Sequence, residues 1–110
     1  MTPTQRSLKI LRERGWTVWR VEHWNAFAKI RQDLFGFGDI LAINKDTVLI
    51  VQTTSGSNVS ARMKRIQENP IAKLWLSPTR WIHVHGWKGR KLRELHATSG
   101  VADSPDQFPV

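Results

Sequence analysis

The sequence has no cysteine and no tyrosine, and its nine acids face seventeen lysines and arginines. Without cysteine, neither a disulfide framework nor a thiolate metal site can form. That absence suits a reducing compartment, and a cytoplasmic location is expected. No apolar run approaches the length of a membrane span, and the opening "MTPTQRSLKILRERG" is too charged for a secretory segment, so no membrane association is expected. There is no Gly-x-Ser-x-Gly elbow and no P-loop, and "GFGD" at 36–39 is too short for a dinucleotide fingerprint. Nucleophilic acyl chemistry therefore has no sequence support. Internal repeats and low-complexity runs are also missing.

What the chain does have is positive charge and tryptophan. Its 110 residues carry a net +8, with a pI near 10.9. A field of that sign attracts polyanions, so the first expected partner is nucleic acid. Forty per cent apolar residues, with six Trp, argue for a packed globule. The length suits a single domain, expected over 1–98, and the aperiodic "TSGVADSPDQFPV" reads as a loose tail over 99–110. A chain this short leaves room for a homodimer.

Local patterns predict the elements. Thr2-Pro3-Thr4-Gln5 is a capping box opening a helix with Leu8 and Leu11 on one face, stopped at Gly15. "WTVWRVEHW", 16–24, reads as a strand, and "NAFAKIRQDLFGFG" as irregular, with Gly36 and Gly38 permitting a turn or a close approach. "DILAINKDTVLIVQTTS" is a hairpin turning at Lys45-Asp46. That register sets Asp39 opposite Gln52, with Thr54 on the same face. Both hairpin faces are apolar: Leu41, Ile43, Val48 and Ile50 on one, Ile40, Ala42, Leu49 and Val51 on the other. Such a hairpin belongs inside a sheet covered by helices. A second helix follows with Val59, Met63 and Ile66 inward, and a short one starts at Asn69-Pro70. "RWIHVHGW" reads as a strand, and "KLRELHA" as a returning edge strand. The fold class is α/β, a mixed sheet flanked by helices.

The helix, the Gly-Asp strand start in "FGFGDILAI" and the polar triplet in "VLIVQTTS" together resemble the PD-(D/E)XK nuclease superfamily, which includes Holliday-junction resolvases and restriction endonucleases. The resemblance covers about residues 5–66. It implies a restriction-endonuclease-like core in the order helix-strand-strand-strand-helix-strand. It also implies a divalent ion, Mg2+ or Mn2+, held by acids at the strand ends. In this chain Gln52 stands where the family carries an acid, and Thr54 where it carries Lys.

Asp39 is thus the expected metal ligand and catalytic residue, with Glu22 as the second acid. Gln52 and Thr54 are expected to orient water or phosphate. Asp33 is an alternative acid, read more readily as a turn residue. Lys29, Arg31, Arg62, Lys64 and Arg65 can converge on the strand end. Lys88, Arg90 and Lys91, with Trp87 and Arg93, make a second nucleic-acid-binding patch. His83 and His85 share a strand face, but two His without a third ligand do not make a zinc site. The expected function is a small metal-dependent endonuclease. Two alternatives stay open: a nucleic-acid-binding module whose metal site has decayed, and a protein-interaction or accessory domain of a mobile element.

Overall fold

Thr2 opens the first helix, and its neighbours show why. Its hydroxyl accepts from the Gln5 amide at 3.1 Å, and the Gln5 side chain accepts from the Thr2 amide at 2.8 Å. Pro3 occupies a position where no amide hydrogen is needed. In the computed structural model, which describes residues 1–97, helix α1 spans Pro3–Glu13 and ends at Gly15, whose φ is 95°. The expected tail at 99–110 lies outside the described residues.

Strands β1 (Thr17–Arg20), β4 (Ile40–Ile43), β5 (Val48–Ser55), β6 (Arg80–Lys88) and β7 (Lys91–Ala97) form one mixed sheet in the order β1-β4-β5-β6-β7. The β1, β4 and β5 pairings are antiparallel, β5 and β6 run parallel, and β7 returns along the edge as expected. A 3-10 turn (Gly56–Asn58), α2 (Val59–Glu68) and α3 (Pro70–Trp75) carry the chain from β5 to β6. The hairpin register is the expected one, from Ile43 opposite Val48 to Ile40 opposite Val51.

Each face of the sheet buries its own cluster. Leu11 of α1 packs on Ile40, Ala42, Leu49 and Val51. On the other face Val59, Met63 and Ile66 of α2 meet Ile50, Ile82 and Val84. A fully buried aliphatic side chain of this size stabilises by about 1.5–3 kcal/mol, so β5, apolar on both sides, anchors both layers. Gly38 and Gly86 permit close approaches. A Cβ on Gly38 would lie 2.7 Å from the Ile50 side chain, and one on Gly86 only 1.9 Å from that of Val59.

Two expectations fail between residues 16 and 38. The single strand over 16–24 is broken after Arg20, and the irregular stretch contains structure. β2 (His23–Asn25) and β3 (Ile30–Gln32) pair with each other as a separate two-stranded hairpin. The reason is a lack of partners: β4 begins only at Ile40, so residues beyond Glu22 have no strand beside them. Trp24, Phe27 and Ile30, apolar enough to look like core, are exposed on this hairpin. Among the described residues, no helix is long and apolar enough to cross a membrane.

Candidate functional site

Because β5 and β6 are parallel, their carboxyl ends share one edge of the sheet, with the end of β1 and the start of β4. Asp39 sits there, one residue before β4, and it is out of step with the ladder. Its amide donates to the Val51 carbonyl at 2.9 Å, and its own carbonyl accepts from Val21 and Glu22 at 2.9 and 3.3 Å. The Asp39 carboxylate consequently meets Thr53, accepting from its amide at 2.7 Å and its hydroxyl at 3.1 Å. The expected direct pairing of Asp39 with Gln52 is corrected by this slip.

Glu22 lies just past β1, held by the Asp39 carbonyl rather than by strand pairing. Its carboxylate pairs with Arg20 at 3.0 Å and Arg31 at 3.5 Å. Asp33 enters from the loop after β3, where Leu34 and Gly38 exchange backbone hydrogen bonds at 2.8 Å around a turn with Phe35 and Gly36 at positive φ. Glu22, Asp33 and Asp39 each bring one carboxylate oxygen to within 4.8 Å of the others. Asp33 is therefore a member of the acid cluster, not merely a turn residue.

These acids line a cleft of about 270 Å³ with Pro3, Thr4, Arg31, Gln52, Thr53 and Arg62. No motif in the sequence points to Thr4. Its hydroxyl shares a 2.8 Å hydrogen bond with that of Thr53, tying the first turn of α1 to the acids. Thr53 escapes the sequence pattern because the family template reads Gln52 and Thr54. Thr54 is buried and does not line the cleft. Gln52 lines both the cleft and a neighbouring 70 Å³ pocket with Arg62 and Arg65.

Burial pushes the Asp39 carboxyl up to about 8, against the Thr53 amide and with the help of Glu22 and Asp33. Asp33 is also raised, by burial first, although its hydrogen bond with Asp39 opposes the shift. Three crowded acids of which one resists ionisation are a set that a divalent cation relieves. All-oxygen donors of this kind suit Mg2+ or Mn2+.

The expected cations divide. Arg31 and Arg62 reach the cleft, and Arg65 reaches the adjoining pocket. Lys29 lies on the β2–β3 turn and Lys64 is exposed on α2; neither lines these cavities. Lys88, Arg90 and Lys91 lie at the β6–β7 turn, on the same edge of the sheet as the acids. A cavity of about 530 Å³ is there: Arg90 and Trp87 line it with Arg6, Lys9 and Glu13 of α1. Trp87 is only partly available, because its indole donates to Ser7 Oγ at 2.8 Å.

A second polar cluster occupies the α1 face of β6 and β7. Ser7 Oγ meets His85 Nδ1 at 2.9 Å, and His85 Nε2 meets Glu94 Oε1 at 3.1 Å. Since the ionised Glu94 carboxylate can only accept, the neutral His85 carries its proton on Nε2, and Ser7, which accepts from the Trp87 indole, donates to Nδ1. Arg14 grips Glu94 with two bonds of 2.8 and 2.9 Å. Burial opposes ionisation of Glu94, but His85, His96 and Arg14 outweigh it and hold the carboxyl well below its usual range. Burial lowers His85, and burial with two histidine neighbours lowers His83 to about 2. Ser7 and His85 are fully buried, so the serine–histidine–glutamate chain pins α1 to the sheet rather than presenting a nucleophile.

No protein-family model matches this chain, and no curated protein matches it either.

Proposed function

We propose that this chain is a divalent-metal-dependent endonuclease that hydrolyses phosphodiester bonds in DNA, built on a restriction-endonuclease-like core. The observation that carries the reading is the meeting of Glu22, Asp33 and Asp39 within 4.8 Å, under Arg31 and Arg62, at the carboxyl edge of the sheet. Asp33 supplies the acid that β5 lacks at Gln52. The order α1, β1, β4, β5, crossover helices and parallel β6 supports the fold assignment.

Glu22, Asp33 and Asp39 would hold Mg2+ or Mn2+. When bound, the ion supplies Lewis-acid polarisation of the phosphate and a water of lowered pKa. The protein's part is to place and charge its ligands. Thr53 fixes the Asp39 carboxylate with two donors, and Thr4 locks Thr53 in place. Asp39 must shed the proton it retains up to about pH 8 before it can act as a ligand. Arg31 and Arg62 face the scissile phosphate as guanidinium donors, and Gln52 offers amide groups to a water or a phosphate oxygen. Arg6, Lys9 and Arg90 continue the positive path over the first turns of α1 and serve the DNA backbone.

Incubation with supercoiled and branched DNA in Mg2+ or Mn2+ tests this. Cleavage is expected, lost in Asp39→Ala and in Asp33→Asn. The absence of a lysine beside the acids favours one other reading, a decayed site that binds without cutting. Salt-sensitive binding with no cleavage under either metal selects it, and neither binding nor cleavage leaves the interaction domain.

A further inference from the structure

The acid cleft accounts for Glu22, Asp33 and Asp39, but not for three residues on the outer strands of the sheet. His83 on β6 lies directly across from His96 on β7, and Glu94 is two residues from His96 on the same face. Each of the three offers one ligand atom within 4.8 Å of the other two. Glu94 Oε1 and His96 Nε2 stand 3.1 Å apart. That is close to the spacing of roughly 3.3 Å between neighbouring donors that bonds of 2.0–2.1 Å impose around a tetrahedral ion.

A second observation concerns His83 alone. It is 8 % exposed, and its Nδ1 is buried with no hydrogen-bond partner among the described residues. A buried imidazole nitrogen left unpaired is costly, and a water or an ion is one of the partners that satisfies such an atom. The His83 and His96 rings stack face to face, with centroids 3.6 Å and planes 10° apart, so the His96 ring has to swing out of the stack for both to reach one ion. The His96 side chain is 22 % exposed, leaving a way in from solvent and room for its ring to tilt.

We propose that His83, Glu94 and His96 form a binding site for a divalent transition metal of the zinc class, separate from the acid cleft. Two imidazoles and one carboxylate suit zinc, cobalt or nickel, and do not suit magnesium, which takes oxygen ligands. The supporting groups are in place. Arg14 fixes Glu94 through both oxygens, and His85, itself held by Ser7, donates to Oε1. Ligand carboxylates in metal sites are oriented by such hydrogen bonds. Glu94 Oε1 faces three donors, Arg14, His85 and His96. The metal takes the place of the His96 contact, and the fourth position stays open to water.

Titration of the full chain with Co2+, followed by visible absorption, tests the site. One equivalent is expected to bind with the intense bands of a tetrahedral or five-coordinate ion, and Zn2+ is expected to displace it. His96→Ala is expected to weaken binding by roughly 100-fold or more, and Asp39→Asn to leave it unchanged. His83→Ala is expected to match His96→Ala; if it fails to fold by circular dichroism, the variant at the partly exposed His96 decides the outcome. Absence of saturable binding, retention in folded His96→Ala, or loss in Asp39→Asn overturns the proposal. DNA cleavage is not read in this experiment, so it stands or falls apart from the nuclease.

Discussion

At the scale of single residues, the two clusters pull stability in opposite directions as pH changes. Asp39 ordinarily titrates at 3.8 but is raised to about 8. The folded protein therefore keeps a proton that the unfolded chain gives up, and this group's contribution falls as pH rises from about 4 to about 8. In chelator-treated protein, Asp39→Asn keeps an acceptor for the Thr53 amide and removes the crowded charge. It is expected to stabilise by roughly 1–3 kcal/mol at pH 8.5 and by almost nothing at pH 4.5; melts at the two pH values would expose the error if the gain were equal. The histidines behave oppositely. His83 and His85 stay neutral when folded and take up protons when unfolded, so their contribution falls as pH drops below about 6.5. Glu94 is lowered, so its contribution is present above the usual carboxylate range and lost as pH falls below it. Glu94→Gln removes one charge that Arg14, His85 and His96 share. Urea titration at pH 7 is expected to show a loss of roughly 2–4 kcal/mol.

At the scale of elements, what matters is how closely backbones approach. The start of α2 lies against β6 at Gly86, where an added methyl would overlap the Val59 side chain. Gly86→Ala is expected to cost about 1–3 kcal/mol, visible as a lower urea midpoint with an unchanged slope; an unchanged midpoint would mean that this contact is not tight. The β2–β3 hairpin is the opposite case. Phe27 at its turn is 99 % exposed, so Phe27→Ser is expected to change stability by less than about 0.5 kcal/mol. A larger loss would show that the hairpin is packed against something. Between these extremes, α1 is held by polar as well as apolar contacts: Thr4 to Thr53, Ser7 to His85, and Leu11 to the sheet.

At the scale of the molecule, three acids share a small cleft with Arg31 and Arg62 in a chain of net charge +8. Cations of α1, α2 and the β6–β7 turn share the same edge of the sheet as the acids; under the proposed function, a phosphate backbone would follow that edge to the acid cleft. DNA affinity is expected to fall linearly in log–log terms with salt, and Arg62→Ala or Arg90→Ala each to lower that slope by about 1. Fluorescence anisotropy at several salt concentrations measures it. A slope that neither variant alters would remove this edge as the DNA path.

How much could be read without coordinates depended on the distance over which each feature is decided. The capping box at Thr2, the register of the β4–β5 hairpin and its two apolar faces follow from neighbours a few residues apart, where hydrogen-bond geometry and strand parity leave little choice. Asp39 and Glu22 were legible as acids at strand ends. Thr4 and Ser7 left a trace, as polar residues on the Leu8 and Leu11 face of an amphipathic helix. Other features were closed to such reading. The one-residue slip that turns Asp39 toward Thr53 arises where β4 meets β5, and the folding-back of residues 23–32 on themselves and the arrival of Asp33 beside Glu22 follow from where β4 begins relative to β1. His96 faces His83 only because β7 returns along β6, thirteen residues later in the chain. By itself, the sequence determined the elements outside residues 16–38, the covered sheet and the sign of the field. Only the tertiary structure decided which polar side chains share a cavity, because that is set by contacts between segments whose spacing along the chain carries no periodic signal.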